Sequence, residues 1–283
     1  MNTIKTEVVE YNFKNDFVFK KTIEENPKLA IKLAKMFIRE LKDIDDDCDV
    51  TFVTKEFKKG VEFKASIFDI NFEMITDDDI IKINYEMQNE NEPFLKKRII
   101  KYYTDLLSTA FIKTGSYDFK PTYAVWFLDF NLFNTKEFVH RLEMRVDTTN
   151  EVWIKNTAVI LVEIEKFKNI EYNEVDDKYY KLFLTNELDK LRGDDELMNK
   201  VADTIQKVNF RPDYRENLRL LDNERRLRNA EREAALEEGM EKGLEKGRTE
   251  GLTEVAKKMK EKGISIEDII EMTGLSKEEI ESL

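Results

Sequence analysis

The chain has 283 residues, 41% of them hydrophobic and 37% charged, with a formal net charge of −12. That is enough apolar material for one core domain plus an appendage, while the single cysteine, Cys48, excludes an internal disulfide and a thiolate zinc cluster. No stretch approaches membrane-spanning length and Met1 to Glu7 lacks an apolar signal core, so the expected location is the cytoplasm; the acidic balance is awkward for a nucleic-acid ligand unless basic residues cluster.

In chain order, Asn15 and Asp16 open the first helical run, with Asp16 readable as an N-cap or as a site residue. Pro27 to Leu41 predicts a helix with Leu29, Leu33, Phe37 and Leu41 at helical spacing. Residues 66–88 then fold back on themselves at Thr76-Asp77-Asp78-Asp79 as a β-hairpin. For either a two-residue turn or a four-residue loop the paired residue numbers sum to 155, which sets Asp69 opposite Glu86 with Gln88 two residues further on the same face. Alternation agrees with that register: Phe68, Ile70, Phe72 and Met74 share a core face with Ile81, Ile83, Tyr85 and Met87. On the other face Glu73 meets Lys82 as a cross-strand ion pair.

Asp69 opposite Glu86 has no structural benefit. Like charges ~4–5 Å apart repel by roughly 1 kcal/mol in water and ~4 kcal/mol near a protein surface. A hard divalent ion such as Mg²⁺ between them resolves the conflict, since it accepts one or two carboxylates and fills its other positions with water and phosphate. The plain alternative is two solvated carboxylates on an exposed sheet face.

Further on, a helix is expected from about Phe94 to Thr114, carrying Lys96, Lys97, Arg98 and Lys101, with Lys113 beyond and Tyr102 and Tyr103 between. Arg98, Lys101, Tyr102 and Asp105 share one helical face, a cation and an aromatic available to a substrate, or a solvated face whose reverse packs on the sheet. Lys82 lies about 20 Å from Gln88 at ~3.3 Å per residue, too far to help it. Thr122 to Asp129 reads as a buried strand, with further strands near 137–146 and 157–165. The lone histidine, His140, reads as structural, and no Gly-rich phosphate loop suggests an ATP-driven enzyme. The region 172–208 looks helical with a break at Gly193.

Residues 215–262 are highly charged and fit one or two long exposed helices. Gly239, Gly243, Gly247 and Gly251 recur every fourth residue, which favours a flexible connector over a close helix contact and self-association. The last segment, Ile264 to Leu283, has a helix-turn-helix pattern about Gly274 and Leu275, but the acidic second helix suits protein contact better than DNA.

Asn15-Asp16 to Lys20, Phe68-Asp69-Ile70, Asn84-Tyr85-Glu86-Met87-Gln88, Arg98 followed by Tyr102, Gly115-Ser116-Tyr117 and Glu163-Ile164-Glu165-Lys166-Phe167 together resemble the Rpn group of recombination-promoting nucleases and transposases. That group lies within the PD-(D/E)XK nuclease superfamily, and the likeness spans roughly residues 13 to 190. It implies an α/β fold: a restriction-endonuclease-like core of mixed sheet flanked by helices, over 1–210. An α-helical C-terminal extension would follow, made of a connector over 211–262 and a small module over 263–283.

The resemblance also implies a metal-dependent DNA endonuclease acting in recombination, mobile elements or defence. Asp69 and Glu86 would hold Mg²⁺, with Mn²⁺ as a substitute and the carbonyl of Met87 as a further ligand. Gln88, in place of the superfamily's lysine, would position the attacking water. Arg98 or Lys101 would supply a cation, and Asp16, matching the group's N-terminal aspartate, would complete the site. DNA is the expected partner, with homo-oligomerisation through the C-terminal helices. The alternative is a catalytically inactive nuclease fold that binds DNA or protein as a regulator, Gln88 marking the lost activity.

Overall fold

The computed structural model describes residues 7–53, 69–111, 117–169 and 177–283. Phe68, Lys113 and Gly115-Ser116 lie outside those residues. Six strands form one mixed sheet in the order β1-β2-β3-β4-β6-β5, with β1 (Asp49–Phe52), β2 (Ile70–Ile75), β3 (Ile80–Gln88), β4 (Thr122–Leu128), β5 (Val139–Leu142) and β6 (Thr157–Glu163). The pairs β1–β2, β2–β3 and β5–β6 are antiparallel, and β3, β4 and β6 run parallel in the middle. Parallel strands covered on both faces read as unbroken apolar runs, and β4 and β6 are buried along their whole length.

The hairpin register is the expected one: Ile70 pairs with Tyr85, Glu73 with Lys82 and Ile75 with Ile80. Thr76 closes the turn, its N–H and hydroxyl both donating to the carbonyl of Asp79 at 3.0 Å.

Helices α1 (Asp16–Glu25), α2 (Pro27–Phe37) and α4 (Asp177–Leu184) cover one face of the sheet. There Phe19, Phe37, Tyr85 and Phe183 surround Phe127 with ring centroids 5.1–5.6 Å apart, and the Tyr85 hydroxyl donates to the carbonyl of Ala30 at 2.7 Å. Helix α3 (Leu95–Ser108) covers the other face, packing Leu95, Ile99 and Leu106 on Ala124, Trp126, Leu128, Val159 and Leu161. Helix α5 (Glu196–Phe210) packs on α1 and α2.

Several elements are shorter than the sequence patterns suggest. Helix α2 stops at Phe37, because Ile38 turns to extended backbone and Leu41 falls in a separate 3-10 turn, Arg39–Leu41. Helix α3 ends at Ser108 rather than near Thr114, and Phe111 instead bridges to Phe119. Strand β5 spans four residues, since beyond Leu142 the chain turns within a hairpin closed by the Arg145–Val152 bridge. Around Gly193, whose φ of +156° favours glycine, the 172–208 region divides into α4 and α5.

The chain forms two compact units, residues 1–215 and 216–283, with the boundary inside α6 (Pro212–Glu261). This 50-residue helix runs unbroken through all four periodic glycines, so the segment is not a break in regular structure. Pairs at i, i+4 such as Glu238–Lys242 and Glu254–Lys258 offset part of the glycine cost. In the second unit Ala256, Ile269, Leu275 and Ile280 bury a small core between the end of α6, α7 (Ile266–Thr273) and α8 (Lys277–Glu281). Gly274, at φ +70°, ends α7, and Ser276 with Glu279 makes a capping box on α8. No helix among the described residues is long and apolar enough to cross a membrane.

Candidate active site

The hairpin register delivers Asp69, just before β2, to the end of β3 that carries Glu86 and Gln88. The peptide N–H of Asp69 donates to Glu86 Oε1 at 3.2 Å, and the N–H of Met87 donates to Asp69 Oδ2 at 2.9 Å. Asn84, fully buried two residues before Glu86 on the same face, donates from Nδ2 to Glu86 Oε1 at 3.0 Å and to the carbonyl of Ile70 at 3.1 Å. This polar face is not solvated. Asn71, Asn84, Glu86 and Gln88 are all buried, which disposes of the exposed-face alternative.

Burial dominates the electrostatics. It pushes the Asp69 carboxyl up to about 7, opposed by the Met87 N–H, reinforced by the negative charge of Asp16, and opposed again by Lys20 and Arg98. Burial likewise raises Glu86 well above the usual carboxylate range, with Asp69 adding to the rise and the Asn84 amide, the Asp69 N–H and Arg98 resisting it. Both acids are thus disfavoured as anions, which is the charge environment that a bound cation would relieve.

The donor set fits a hard divalent cation. One oxygen of each carboxylate is held by the hydrogen bonds above, and Asp69 Oδ1 and Glu86 Oε2 receive no donor from the described residues. Asn84 Oδ1 is buried without a hydrogen-bond partner beside them. No group of three or more His, Cys, Asp or Glu that could hold a metal occurs among the described residues, so the set offers two carboxylates, a number Mg²⁺ tolerates by retaining waters.

Gln88 is held at both ends of its amide. Its Oε1 accepts from Arg98 Nη2, and its Nε2 donates to the carbonyl of Glu90 at 2.6 Å. Arg98 also donates to Glu92 at 2.7 Å and lies 5.5 Å from the ring of Trp126, which stands beside Glu86 in the β3–β4 register. Arg98 therefore reaches the site, one helical turn into α3. Lys101 does not join it there; it pairs with Asp105 at 2.9 Å. Lys82 binds Glu73 at 3.5 Å, toward the far end of β3.

Asp16 is not the N-cap of α1. Asn15 is, its side chain accepting from the N–H groups of Phe17 and Val18. Asp16 is the first helical residue and accepts from Asn89 Nδ2 at 3.0 Å, which fastens α1 to the residue after Gln88. Beside it, Asp129 donates its N–H to the Gln88 carbonyl at 2.9 Å and pairs with Lys14 at 2.8 Å.

Two strands away, Glu163 is fully buried at the end of β6 and accepts from the N–H groups of Leu132 and Phe133, from Lys166, and shares a 2.7 Å hydrogen bond with His140. Burial pushes its carboxyl up, but these partners outweigh it and hold the group below its ordinary range. Lys166 also donates to the carbonyls of Phe133 and Glu137, so the group fastens the 129–138 loop, and His140 is structural there.

Sequence reasoning gave no role to Asn84, Glu92 or Lys20. The signals were present: Asn84 is two residues from Glu86 on one face, and Lys20 is four residues from Asp16 on one helix.

A family model described as PD-(D/E)XK nuclease family transposase matches residues 13–239. No curated protein matches the chain, and no solved structure does.

Proposed function

The chain belongs to the family of PD-(D/E)XK nuclease transposases, and on that premise we propose that it is a divalent-metal-dependent DNA endonuclease serving recombination, mobile elements or defence. The observation that carries the reading is the pair Asp69 and Glu86, a half-buried and a buried carboxylate cross-linked through the peptide N–H groups of Asp69 and Met87, with no ion pair to either among the described residues. Mg²⁺, or Mn²⁺ in its place, would be held by these two residues with the Met87 carbonyl as a further ligand; the bound ion would acidify a water and neutralise charge on the phosphate.

The chain's own residues do the rest. Asp69 and Glu86 fix the binding position, each locked by a peptide N–H. Gln88 orients the attacking water by hydrogen bonds, and Arg98 holds the Gln88 amide in one orientation. Asp16 raises the proton affinity of Asp69. Catalysis would belong to residues 1–210, with 211–262 as a helical connector and 263–283 as a protein-contact module. Self-association along α6 is supported by its exposed Leu227, Leu236, Met240 and Leu244.

The test is supercoiled plasmid incubated with Mg²⁺, Mn²⁺, Ca²⁺ or EDTA beside Asp69→Ala and Glu86→Ala. Nicking that requires Mg²⁺ or Mn²⁺ and is lost in both folded variants is the expected result. Absence of cleavage by the wild type under every condition, with metal-independent DNA retention in a gel shift, would favour the inactive binding protein.

A further inference from the structure

Gln88 brings hydrogen bonds but no charge to a reaction that concentrates negative charge on a phosphate, so a cation has to come from another element. Arg98 is already divided between Gln88 and Glu92, with Trp126 against its plane. Lys14 is paired with Asp129, Lys21 with Glu24 and Lys101 with Asp105.

Lys20 differs from all of these. It is exposed on α1, and among the described residues it makes no ion pair or hydrogen bond. Asp16, one helical turn earlier, is bonded to Asn89 directly after Gln88, so this flank of α1 is pinned to the catalytic end of β3. The opposite flank, with Val18, Phe19, Thr22 and Ile23, is buried and fixes the helix in rotation. Lys20 is one of the positive charges that hold the Asp69 carboxyl down against its burial. An exposed, strongly hydrated point charge on a flexible stem, on the flank of α1 that Asp16 pins to the end of β3, is suited to a phosphate oxygen.

We infer that Lys20 is the catalytic cation of this site, reaching from α1 to a non-bridging oxygen of the scissile phosphate and replacing the charge that Gln88 lacks. The inference rests on the nuclease reading. In the hydrolysis, the water oxygen bonds to phosphorus and one P–O ester bond breaks; the water's protons end on the leaving hydroxyl and in solution. Lys20 transfers no proton. It supplies fixed charge where negative charge grows.

The experiment compares wild type, Lys20→Ala, Lys20→Arg and the double variant Lys20→Ala/Gln88→Lys on plasmid DNA with Mg²⁺. Duplex binding in Ca²⁺ by fluorescence anisotropy and Mn²⁺ binding by calorimetry accompany it. Lys20→Ala should lower kcat by about 100-fold, the scale of one lost transition-state donor, with KM changed less than about threefold. Mn²⁺ affinity should hold, and the salt dependence of DNA binding should fall by about one phosphate contact. Lys20→Arg should retain part of the rate, and the double variant should recover at least about tenfold over Lys20→Ala. Cleavage by Lys20→Ala at the wild-type rate, or no recovery in the double variant, would overturn the role of Lys20 and leave the nuclease standing. A wild type inert with Mg²⁺ and Mn²⁺ would remove both.

Discussion

Asp69 and Glu86 are each tied to the other's strand through the main chain: the Asp69 N–H holds Glu86 Oε1 at 3.2 Å, and the N–H next to Glu86, that of Met87, holds Asp69 Oδ2 at 2.9 Å. The two acids are thereby kept together despite their repulsion. Strand pairing enforces what the side chains oppose, a local conflict of the kind that collects at functional sites.

Removing that conflict should separate stability from activity. Glu86→Gln keeps the hydrogen-bonding shape and removes a buried acid that burial and Asp69 push toward protonation. At pH 8 without metal it should melt higher than wild type by a few degrees, on the order of 1 kcal/mol, while metal binding and cleavage disappear. Calorimetry beside a nicking assay checks both; a lower melting temperature would contradict the charge conflict.

The pH dependence follows from the same shifts. Asp69 is raised from an ordinary value near 3.8 to about 7, so between those limits the folded state holds a proton that the unfolded state has lost. Metal-free stability should therefore fall as pH rises from about 4 to about 7, and Glu86, raised in the same direction, adds to the fall. Metal binding competes with those protons, so affinity for Mn²⁺ should rise with pH through the same window. Denaturation midpoints with EDTA and with Mn²⁺ should converge at low pH and separate above about 7.

In the proposed mechanism Arg98 acts through Gln88, whose amide oxygen it holds. Arg98→Met keeps the bulk beside Trp126 and removes the donor to Gln88 Oε1. Turnover should drop by about tenfold with metal affinity little changed, a loss matching one misaligned positioning contact. A KM effect with unchanged kcat would place Arg98 in substrate binding instead.

Glu163 should matter for folding. Glu163→Ala strands Lys166, itself buried, and opens the N–H groups of Leu132 and Phe133. Loss of one partner of a buried pair costs about 3–5 kcal/mol, whereas His140→Ala should cost less because Lys166 still neutralises Glu163. Urea unfolding of both variants checks the order.

The periodic glycines of α6 meet nothing: a Cβ at Gly239, Gly243, Gly247 or Gly251 finds no atom within 4 Å. Changing all four to alanine should raise helicity and stabilise α6 by roughly 0.5–1 kcal/mol per position. If the same substitutions weaken self-association in sedimentation, the glycine face is a contact between copies.

The sequence alone determined the hairpin, because side-chain alternation has a period of two and a turn fixes the pairing; Ile70 opposite Tyr85 brings Asp69 to Glu86 from numbering alone. It also determined the buried central strands, whose apolar runs are local, and the family, whose motifs keep their order. Only the tertiary structure decided that the polar face is buried, since α3 covers it by packing against β4 and β6. Pairwise choices were equally beyond local pattern: Asn15 caps α1 so Asp16 can reach Asn89, Arg98 turns to Gln88 while Lys101 turns to Asp105, and Lys20, one turn along from Asp16, stays unpaired among the described residues. Such partnerships depend on distances across elements far apart in the chain, which periodicity does not encode.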